Sequence, residues 1–141
     1  HYGQSSDQAE SLRCELERNG FEAETIRADL FDLEATAQLV KTIVEKEGRL
    51  DILVNNAGIT RDGLAVRMSD EDYNDVVAVN QHAPFILMRE AGKTMMRRRF
   101  GRIINITSVV GLTGNAGQIN YAASKAALIA MSKSLALELA T

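Results

Sequence analysis

The strongest constraint on the fold is a short apolar run that ends in a polar loop. Residues 51–55 read Asp-Ile-Leu-Val-Asn, and the chain continues with Asn56, Ala57 and Gly58. An apolar run of this length without polar alternation is typical of a parallel strand that is buried on both faces. We therefore expect residues 51–55 to form a central strand whose carboxyl end opens into a loop.

Strand-like and helix-like segments alternate along the 141 residues, about the length of one domain. The apolar spacing predicts helices over 5–20, 32–48 and 118–139. Strands are predicted over 21–28, 51–55 and 102–107, with no hairpin signal between them. This order favours right-handed strand–helix–strand crossovers and a doubly wound parallel sheet of the α/β class, with helices on both faces.

Two further patterns predict where helices begin and break. Ser5 to Gln8 resembles a capping box, and Ser69 caps a long helical segment that extends to about Arg99. We expect an interruption near Asn80 and Pro84, because proline lacks the backbone donor and collides with the preceding turn.

Charge and composition narrow the classes of partner. Sixteen Lys and Arg against nineteen Asp and Glu leave a net charge of −3, and only 5% of residues are aromatic, which disfavours nucleic-acid binding. The longest charge-free stretch, 103–124, holds too many Gly, Asn and Gln residues for a membrane span. No signal peptide is visible, and the lone Cys14 has no disulfide or metal-ligand partner. These features predict a cytoplasmic protein without a metal site.

The residues that carry chemistry follow the predicted strands, where ligands of open parallel sheets bind. Asp29, the 56–58 loop and Ser108 stand at these positions. Tyr121 and Lys125 are four residues apart and share one helix face, an arrangement that alone is more typical of a helix surface. A cation there stabilises a phenolate, which suits Tyr121 to acid–base catalysis. Ser108 could bond the same carbonyl oxygen where negative charge develops.

These positions resemble the short-chain dehydrogenase/reductase family. The resemblance rests on residues 55–58 after a strand, on Asn80 in the long helix, and on the spacing of Ser108, Tyr121 and Lys125. Within the family, residues 55–62 and 114–121 look most like 3-oxoacyl-[acyl-carrier-protein] reductases, and acetoacetyl-CoA reductases look similar there. The resemblance implies a Rossmann-like domain of roughly 250 residues. Residues 1–141 would be its central part, lacking the Gly-rich start and the substrate lid.

The resemblance also implies individual roles. Tyr121 would protonate the carbonyl oxygen, Ser108 would position the substrate, and Lys125 would hold the nicotinamide ribose and tune Tyr121. Asn80 would hold a water that connects Lys125 to solvent. The other cofactor contacts implied are Asp29 and Leu30 at the adenine, and Asn56, Ala57 and Gly58 along the adenosine ribose.

Some of these positions have simpler interpretations. Asp29 could serve only as the turn residue that ends a strand. The resemblance also implies that residues 1–3 follow the second strand of the family's domain, where the 2′ substituent of the adenosine ribose is recognised. No acidic residue stands at positions 1–3 to bond a 2′-hydroxyl, whereas Ser5 and Ser6 could donate to a 2′-phosphate, which favours NADP(H) over NAD(H).

The implied activity is NADPH-dependent reduction of a carrier-linked 3-oxoacyl thioester in fatty-acid synthesis. The alternatives are another short-chain alcohol dehydrogenase, an acetoacetyl-CoA reductase, or a catalytically inactive scaffold.

Arg97 to Arg99 form either a solvated helix end or a docking patch for the acidic carrier protein, with Arg99 the main contact. The resemblance also implies a tetramer, which the family commonly forms through the long interrupted helix and the helix that carries Tyr121. The apolar surface proposed for this contact comprises Ala126, Ala127, Leu128, Ala130 and Met131.

Overall fold

Six α-helices and two strands make up residues 1–140, the part of the chain that the computed structural model describes. The helices are α1 Ser6–Arg18, α2 Leu33–Glu47, α3 Asp70–Val77, α4 Ala83–Arg98, α5 Val110–Thr113 and α6 Ile119–Leu139. The strands are β1 Ile52–Asn55 and β2 Arg102–Asn105. A short 3₁₀ turn covers Ala65–Arg67, and a π-helical turn covers Ala78–His82.

The two strands pair in parallel and are joined by a helical crossover. Leu53 lies opposite Ile103, and Asn55 lies opposite Asn105. The chain passes from β1 through α3, the π turn and α4 before it enters β2. The predicted α/β class with a parallel sheet is thereby confirmed.

One face of the strand pair is covered by helices and the other is open. Leu53 and Ile103 pack against a buried cluster contributed by α2 and α4. Ile52, Val54 and Ile104 point the other way and are each about half exposed. The prediction that residues 51–55 are buried on both faces is therefore wrong for the described residues, since the helices that pack on the strands do so from the Leu53 side.

The strand predicted over 21–28 is reduced to a single bridge. The Tyr2 N–H donates to the Ile26 carbonyl at 3.0 Å, and the Ala28 N–H donates to the Tyr2 carbonyl at 3.1 Å. Arg27 consequently pairs with Tyr2. A longer ladder needs a neighbouring strand along its length, and among residues 1–140 the only bridge partner of this segment is Tyr2.

The three predicted helix starts are confirmed, but only two of them carry a side-chain cap. The Asp32 carboxylate accepts two N–H groups of the first turn of α2, both at 2.9 Å. Ser69 Oγ accepts the Asp72 N–H at 3.0 Å at the start of α3. Ser5 makes no side-chain cap bond, because its ψ of 63° lies outside the extended region that turns a capping oxygen onto the first turn.

The predicted interruption of the long helix is the π turn at 78–82. It separates α3 from α4, and Pro84 lies in the first turn of α4, where its missing N–H costs no helical hydrogen bond. The wider turn carries Asn80, whose side chain is fully buried. Such turns are frequent at functional sites.

The longest helix, α6, is joined to the sheet by polar side chains. Asn105 Nδ2 donates to Ser132 Oγ at 2.7 Å, and Asn55 Nδ2 donates to Asn105 Oδ1 at 2.7 Å. Among residues 1–140, α6 and the other helices are either too short or too polar to cross a bilayer.

Candidate active site

The carboxyl ends of both strands open toward the residues predicted to carry chemistry. Asn56, Ala57 and Gly58 follow β1 and are exposed to solvent. Ser108 follows β2 by three residues, and Tyr121 lies in the first turn of α6. The structure therefore gathers three segments, widely separated in sequence, at one edge of the sheet.

The centre of this edge is the pair formed by Tyr121 and Lys125. Lys125 is only 4% exposed, and its Nζ lies 5.7 Å from the centroid of the Tyr121 ring. The ammonium also donates to the Ile106 carbonyl, just beyond β2, at 2.8 Å. Burial lowers the pKa of Lys125 from its usual value, because desolvation disfavours the charged form. The pair is therefore a buried ammonium beside a partly exposed phenol, which is unlike a pair of surface residues.

Asn80 holds the loop that follows β1. Its Oδ1 accepts the Ile59 N–H at 2.8 Å, and its Nδ2 donates to the Ile59 carbonyl at 2.8 Å. A Cβ added at Gly58 would lie 3.2 Å from Asn80 Oδ1 and 3.8 Å from Lys125 Nζ. Gly58 therefore lies next to both the Asn80 carboxamide and the Lys125 ammonium. The carboxamide itself is hydrogen-bonded to the backbone of Ile59.

Ser108 begins a tight turn that rests on α6, the helix that carries Tyr121 and Lys125. Its Oγ accepts the Val110 N–H at 3.2 Å, and its carbonyl accepts the Gly111 N–H at 3.0 Å. A Cβ added at Gly111 would lie 2.8 Å from the Ala126 nitrogen and 2.9 Å from the Lys125 carbonyl carbon. The turn that begins at Ser108 therefore packs directly on the backbone of α6 at Lys125. Any residue larger than glycine at position 111 would prevent this contact.

Asp29 and Leu30 form a turn on the edge of the core. Asp29 Oδ1 accepts the Phe31 N–H at 3.0 Å, which is the turn geometry of the simpler interpretation. Leu30 is buried in a cluster that includes Val79 and is bordered by Ile59. This places the turn beside the loop after β1, with the Asp29 carboxylate exposed and the Leu30 side chain directed into the core.

The surface predicted for self-association needs one correction. Leu128 was expected to supply apolar contact area on α6, yet it is only 1% exposed and lies in the interior. Helical periodicity explains the difference, because Leu128 follows buried Ser124 by four residues and shares its inward face. Ala126, Ala127, Ala130 and Met131 remain partly or fully exposed.

Sequence reasoning missed two residues of this site, Asn120 and Gly111. Asn120 directly precedes Tyr121 and is fully buried, with hydrogen bonds to backbone groups distant in sequence. The available signal was its place beside Tyr121, but a short polar side chain in the first turn of a helix usually bonds only the local backbone. Gly111 belonged to a loop that was recognised only as Gly-rich.

The residues at the strand ends fit a dinucleotide. The exposed backbone at 56–58 allows close approach, and Gly58 lies where a side chain would meet Asn80. The fold and the site together define a parallel α/β protein whose tyrosine–lysine pair lies at the ligand-binding edge of the sheet.

Comparison with known proteins agrees with this class. The model of the short chain dehydrogenase family matches residues 1–141, and the chain belongs to that family. Over all 141 residues it is 45% identical to the 3-oxoacyl-[acyl-carrier-protein] reductase of Synechocystis sp., of which it covers 57%.

Two further relatives show the same pattern. Over 141 residues, 99% of this chain, it is 53% identical to Nodulation protein G of Rhizobium sp., of which it covers 56%. Over 99 residues, 70% of this chain, it is 62% identical to the 3-oxoacyl-[acyl-carrier-protein] reductase FabG of Rickettsia bellii, covering 41% of that protein. The chain thus spans about half the length of the curated relatives it matches.

Proposed function

We propose that the protein carrying this chain is an NADPH-dependent reductase of carrier-linked 3-oxoacyl thioesters in fatty-acid synthesis. The observation that carries the proposal is the buried Lys125 ammonium, 5.7 Å from the Tyr121 ring at the carboxyl end of two parallel strands. The substrate class is supported by the similarity to the 3-oxoacyl-[acyl-carrier-protein] reductases of Synechocystis and Rickettsia.

The proposed reduction adds a hydride to the carbonyl carbon and a proton to the carbonyl oxygen of a ketone. A bound nicotinamide supplies the hydride. Tyr121 donates the phenolic proton, and Ser108 Oγ bonds the same oxygen as negative charge develops on it. Lys125 then stabilises the resulting phenolate, because its positive charge lies beside the ring.

The proton lost by Tyr121 must return from solvent. In this proposal a water near Asn80 carries it toward Lys125. Since the Asn80 carboxamide bonds Ile59 through both its oxygen and its nitrogen, the backbone of the π turn is the better holder of that water.

The proposed cofactor lies along the edge of the sheet. Lys125 uses one N–H on the Ile106 carbonyl, which leaves two for the nicotinamide ribose. Asn56, Ala57 and Gly58 follow the adenosine ribose. The Asp29–Leu30 turn faces the adenine through the Asp29 carboxylate and the Leu30 backbone.

The preference for NADP(H) rests on polar groups near the start of the chain. Ser5 and Ser6 are exposed, and the Arg27 guanidinium donates to the carbonyl of nearby Gly3 at 3.3 Å. Hydroxyl and guanidinium donors suit the additional phosphate of NADP(H). Measured dissociation constants for NADPH and NADH distinguish the two cofactors.

A reduction assay on the protein expressed from its complete reading frame tests the proposed function. Tyr121→Phe removes only the phenolic oxygen and should lower ketone reduction by at least about 100-fold, with NADPH binding retained. Tyr73→Phe is the matched control, because Tyr73 lies partly exposed on α3 and makes no side-chain hydrogen bond among residues 1–140. Retained turnover in Tyr121→Phe contradicts the proposed role.

Parallel assays separate the alternative functions. Faster reduction of a carrier-linked than of a CoA-linked 3-ketoacyl substrate supports the carrier-protein reductase, and the reverse supports an acetoacetyl-CoA reductase. Reduction of simple ketones alone indicates another alcohol dehydrogenase. A protein that neither reduces these substrates nor binds NADPH is an inactive scaffold.

The docking proposal for the acidic carrier protein concerns Arg97 and Arg99. Both are exposed, and neither makes an ion pair among residues 1–140, whereas Arg98 reaches the Gly48 carbonyl at 3.4 Å. Because Arg99 precedes β2 and Ser108 follows it, they lie toward opposite ends of the strand. A docked carrier must therefore extend its acyl arm along the strand or serve the site of another copy.

Charge reversal tests this docking surface. The double variant Arg97→Glu and Arg99→Glu should raise KM for the carrier-linked substrate without changing KM for a small ketone. Arg98→Glu is the control and should have the smaller effect. Equal effects on both substrates contradict the docking proposal, and no effect on either indicates a solvated helix end.

Self-association as a tetramer is proposed through α4 and α6. A groove of about 450 Å³ lies between these helices, lined in part by Phe85, Ala130 and Met131. Phe85 is about half exposed although it is a large apolar residue. Light scattering should show a smaller species for Ala130→Arg than for the unmodified protein.

A further inference from the structure

Asn120, the residue before Tyr121, joins three parts of the site through one buried carboxamide. Its Nδ2 donates to the Arg61 carbonyl at 2.9 Å and to the Asp72 carbonyl at 3.2 Å. Its Oδ1 accepts the Tyr121 N–H at 2.8 Å. The side chain is fully buried, so these backbone groups replace all of its contacts with water. The loop after β1, helix α3 and the first turn of α6 therefore meet at this residue.

The same loop is held at its other end by Asn80. That carboxamide, also fully buried, bonds the N–H and the carbonyl of Ile59. Two further bonds support the Asn120 end: the Gly63 N–H donates to the Gly117 carbonyl at 2.8 Å, and a side-chain pair joins Gln118 to Asp62 at 3.0 Å. Residues 59–63 are thus fixed between the π turn and the start of the catalytic helix.

We infer that Asn120 is a positioning residue that sets the Tyr121 phenol against the loop following β1. In the proposed function, which this inference assumes, the loop lies along the cofactor, so the contact controls the alignment of the proton donor with the hydride donor. Asparagine suits the place because it supplies two donor N–H groups and one acceptor from a single short side chain. A misplacement of about 1 Å at a reacting centre can cost about 100-fold in rate.

Two substitutions of Asn120 test the inference in the protein expressed from its complete reading frame. Asn120→Ala removes all three bonds, while Asn120→Asp keeps the size and the acceptor but replaces the donor nitrogen. Each should lower kcat about 10- to 100-fold, expressed per NADPH-binding site so that unfolded molecules do not count. The dissociation constant for NADPH should stay unchanged, because the loop remains held by Asn80.

Ser132→Ala is the matched control on the same helix. Ser132 lies three turns beyond Tyr121, and its hydrogen bonds are with Asn105 of β2 and the Leu128 carbonyl rather than with the 59–63 loop. Its loss should lower the melting temperature without lowering kcat per binding site. If the Asn120 variants match Ser132→Ala in kcat, Asn120 is only structural and the inference is overturned.

Hydrogen exchange tests the contact independently of any activity. In the unmodified protein the Tyr121 amide should exchange slowly, because Asn120 Oδ1 accepts its proton, whereas first-turn amides of a helix normally have no partner. Asn120→Ala should speed exchange at Tyr121 and across 59–63, Asn120→Asp should speed exchange across 59–63 alone, and Ser132→Ala should do neither. Fast exchange at Tyr121 in the unmodified protein overturns the inference even if the variants do not fold. Absence of ketone reduction in the unmodified protein, by contrast, counts against the proposed function alone.

Discussion

A residue at this site can matter because it has no side chain, as well as because of the chemical groups it carries, and Gly111 is the example. Gly111 lets the turn after Ser108 lie on the backbone of α6, since even one added methyl group would lie 2.8 Å from the Ala126 nitrogen. Tyr121 and Lys125 could be recognised by type and spacing. The need for glycine at 111 could not, because it depends on a helix that begins eight residues later.

Gly111→Ala is expected to move the Ser108 turn away from Lys125. Overpacking against backbone that cannot yield should cost about 1–3 kcal/mol of unfolding free energy and lower ketone reduction. Denaturant unfolding and the reduction assay measure the two effects. Gly63→Ala is the control, because nothing lies within 4 Å of its added Cβ. Equal losses in both variants would contradict a specific contact at Gly111.

Secondary-structure elements followed local sequence signals where those signals were complete. Ser69 and Asp32 cap their helices, and Gly48 ends α2 with a φ of 71°. Pro84 marked the interruption, although its form as a π turn depends on packing around buried Asn80. The strand predicted over 21–28 failed because a strand, unlike a helix, needs a partner chain segment to satisfy its backbone.

Asp32→Ala and Ser5→Ala form a matched pair at the scale of the element. Asp32 accepts two first-turn N–H groups of α2, so its loss should lower the unfolding free energy by about 1 kcal/mol. Ser5 makes no cap bond with α1, so its replacement should leave stability nearly unchanged. Thermal denaturation of both variants measures the difference. A comparable loss in Ser5→Ala would show that Ser5 caps α1 in solution.

The assembly of the molecule depends on a polar chain through its interior. Asn55 of β1 bonds Asn105 of β2, which bonds Ser132 of α6, and Ser132 in turn donates to the Leu128 carbonyl at 2.6 Å. These contacts join both strands to the helix that carries Tyr121. Apolar packing of α2 and α4 secures the same face, and the polar chain adds a definite register between α6 and the sheet.

Asn105→Ala should destabilise the whole chain rather than one element. It leaves the buried Asn55 Nδ2 without a partner, which costs about 1–3 kcal/mol, whereas Ser132 Oγ keeps its bond to the Leu128 carbonyl. Asn74→Ala is the control, because Asn74 is exposed on α3. Cooperative unfolding in urea compares them. A loss no greater than that of Asn74→Ala would mean that water replaces the interior contacts.

The sequence by itself determined the α/β class, the interrupted long helix and the candidate residues Ser108, Tyr121 and Lys125. Each depends on local periodicity, on capping chemistry or on spacing within one helix, which short segments encode. Only the tertiary structure decided that Lys125 is buried, that one sheet face is open, and that Asn120 bonds Arg61 across 59 positions. Burial and long-range hydrogen bonds depend on which segments contact one another in the folded chain, and no local sequence pattern specifies those contacts.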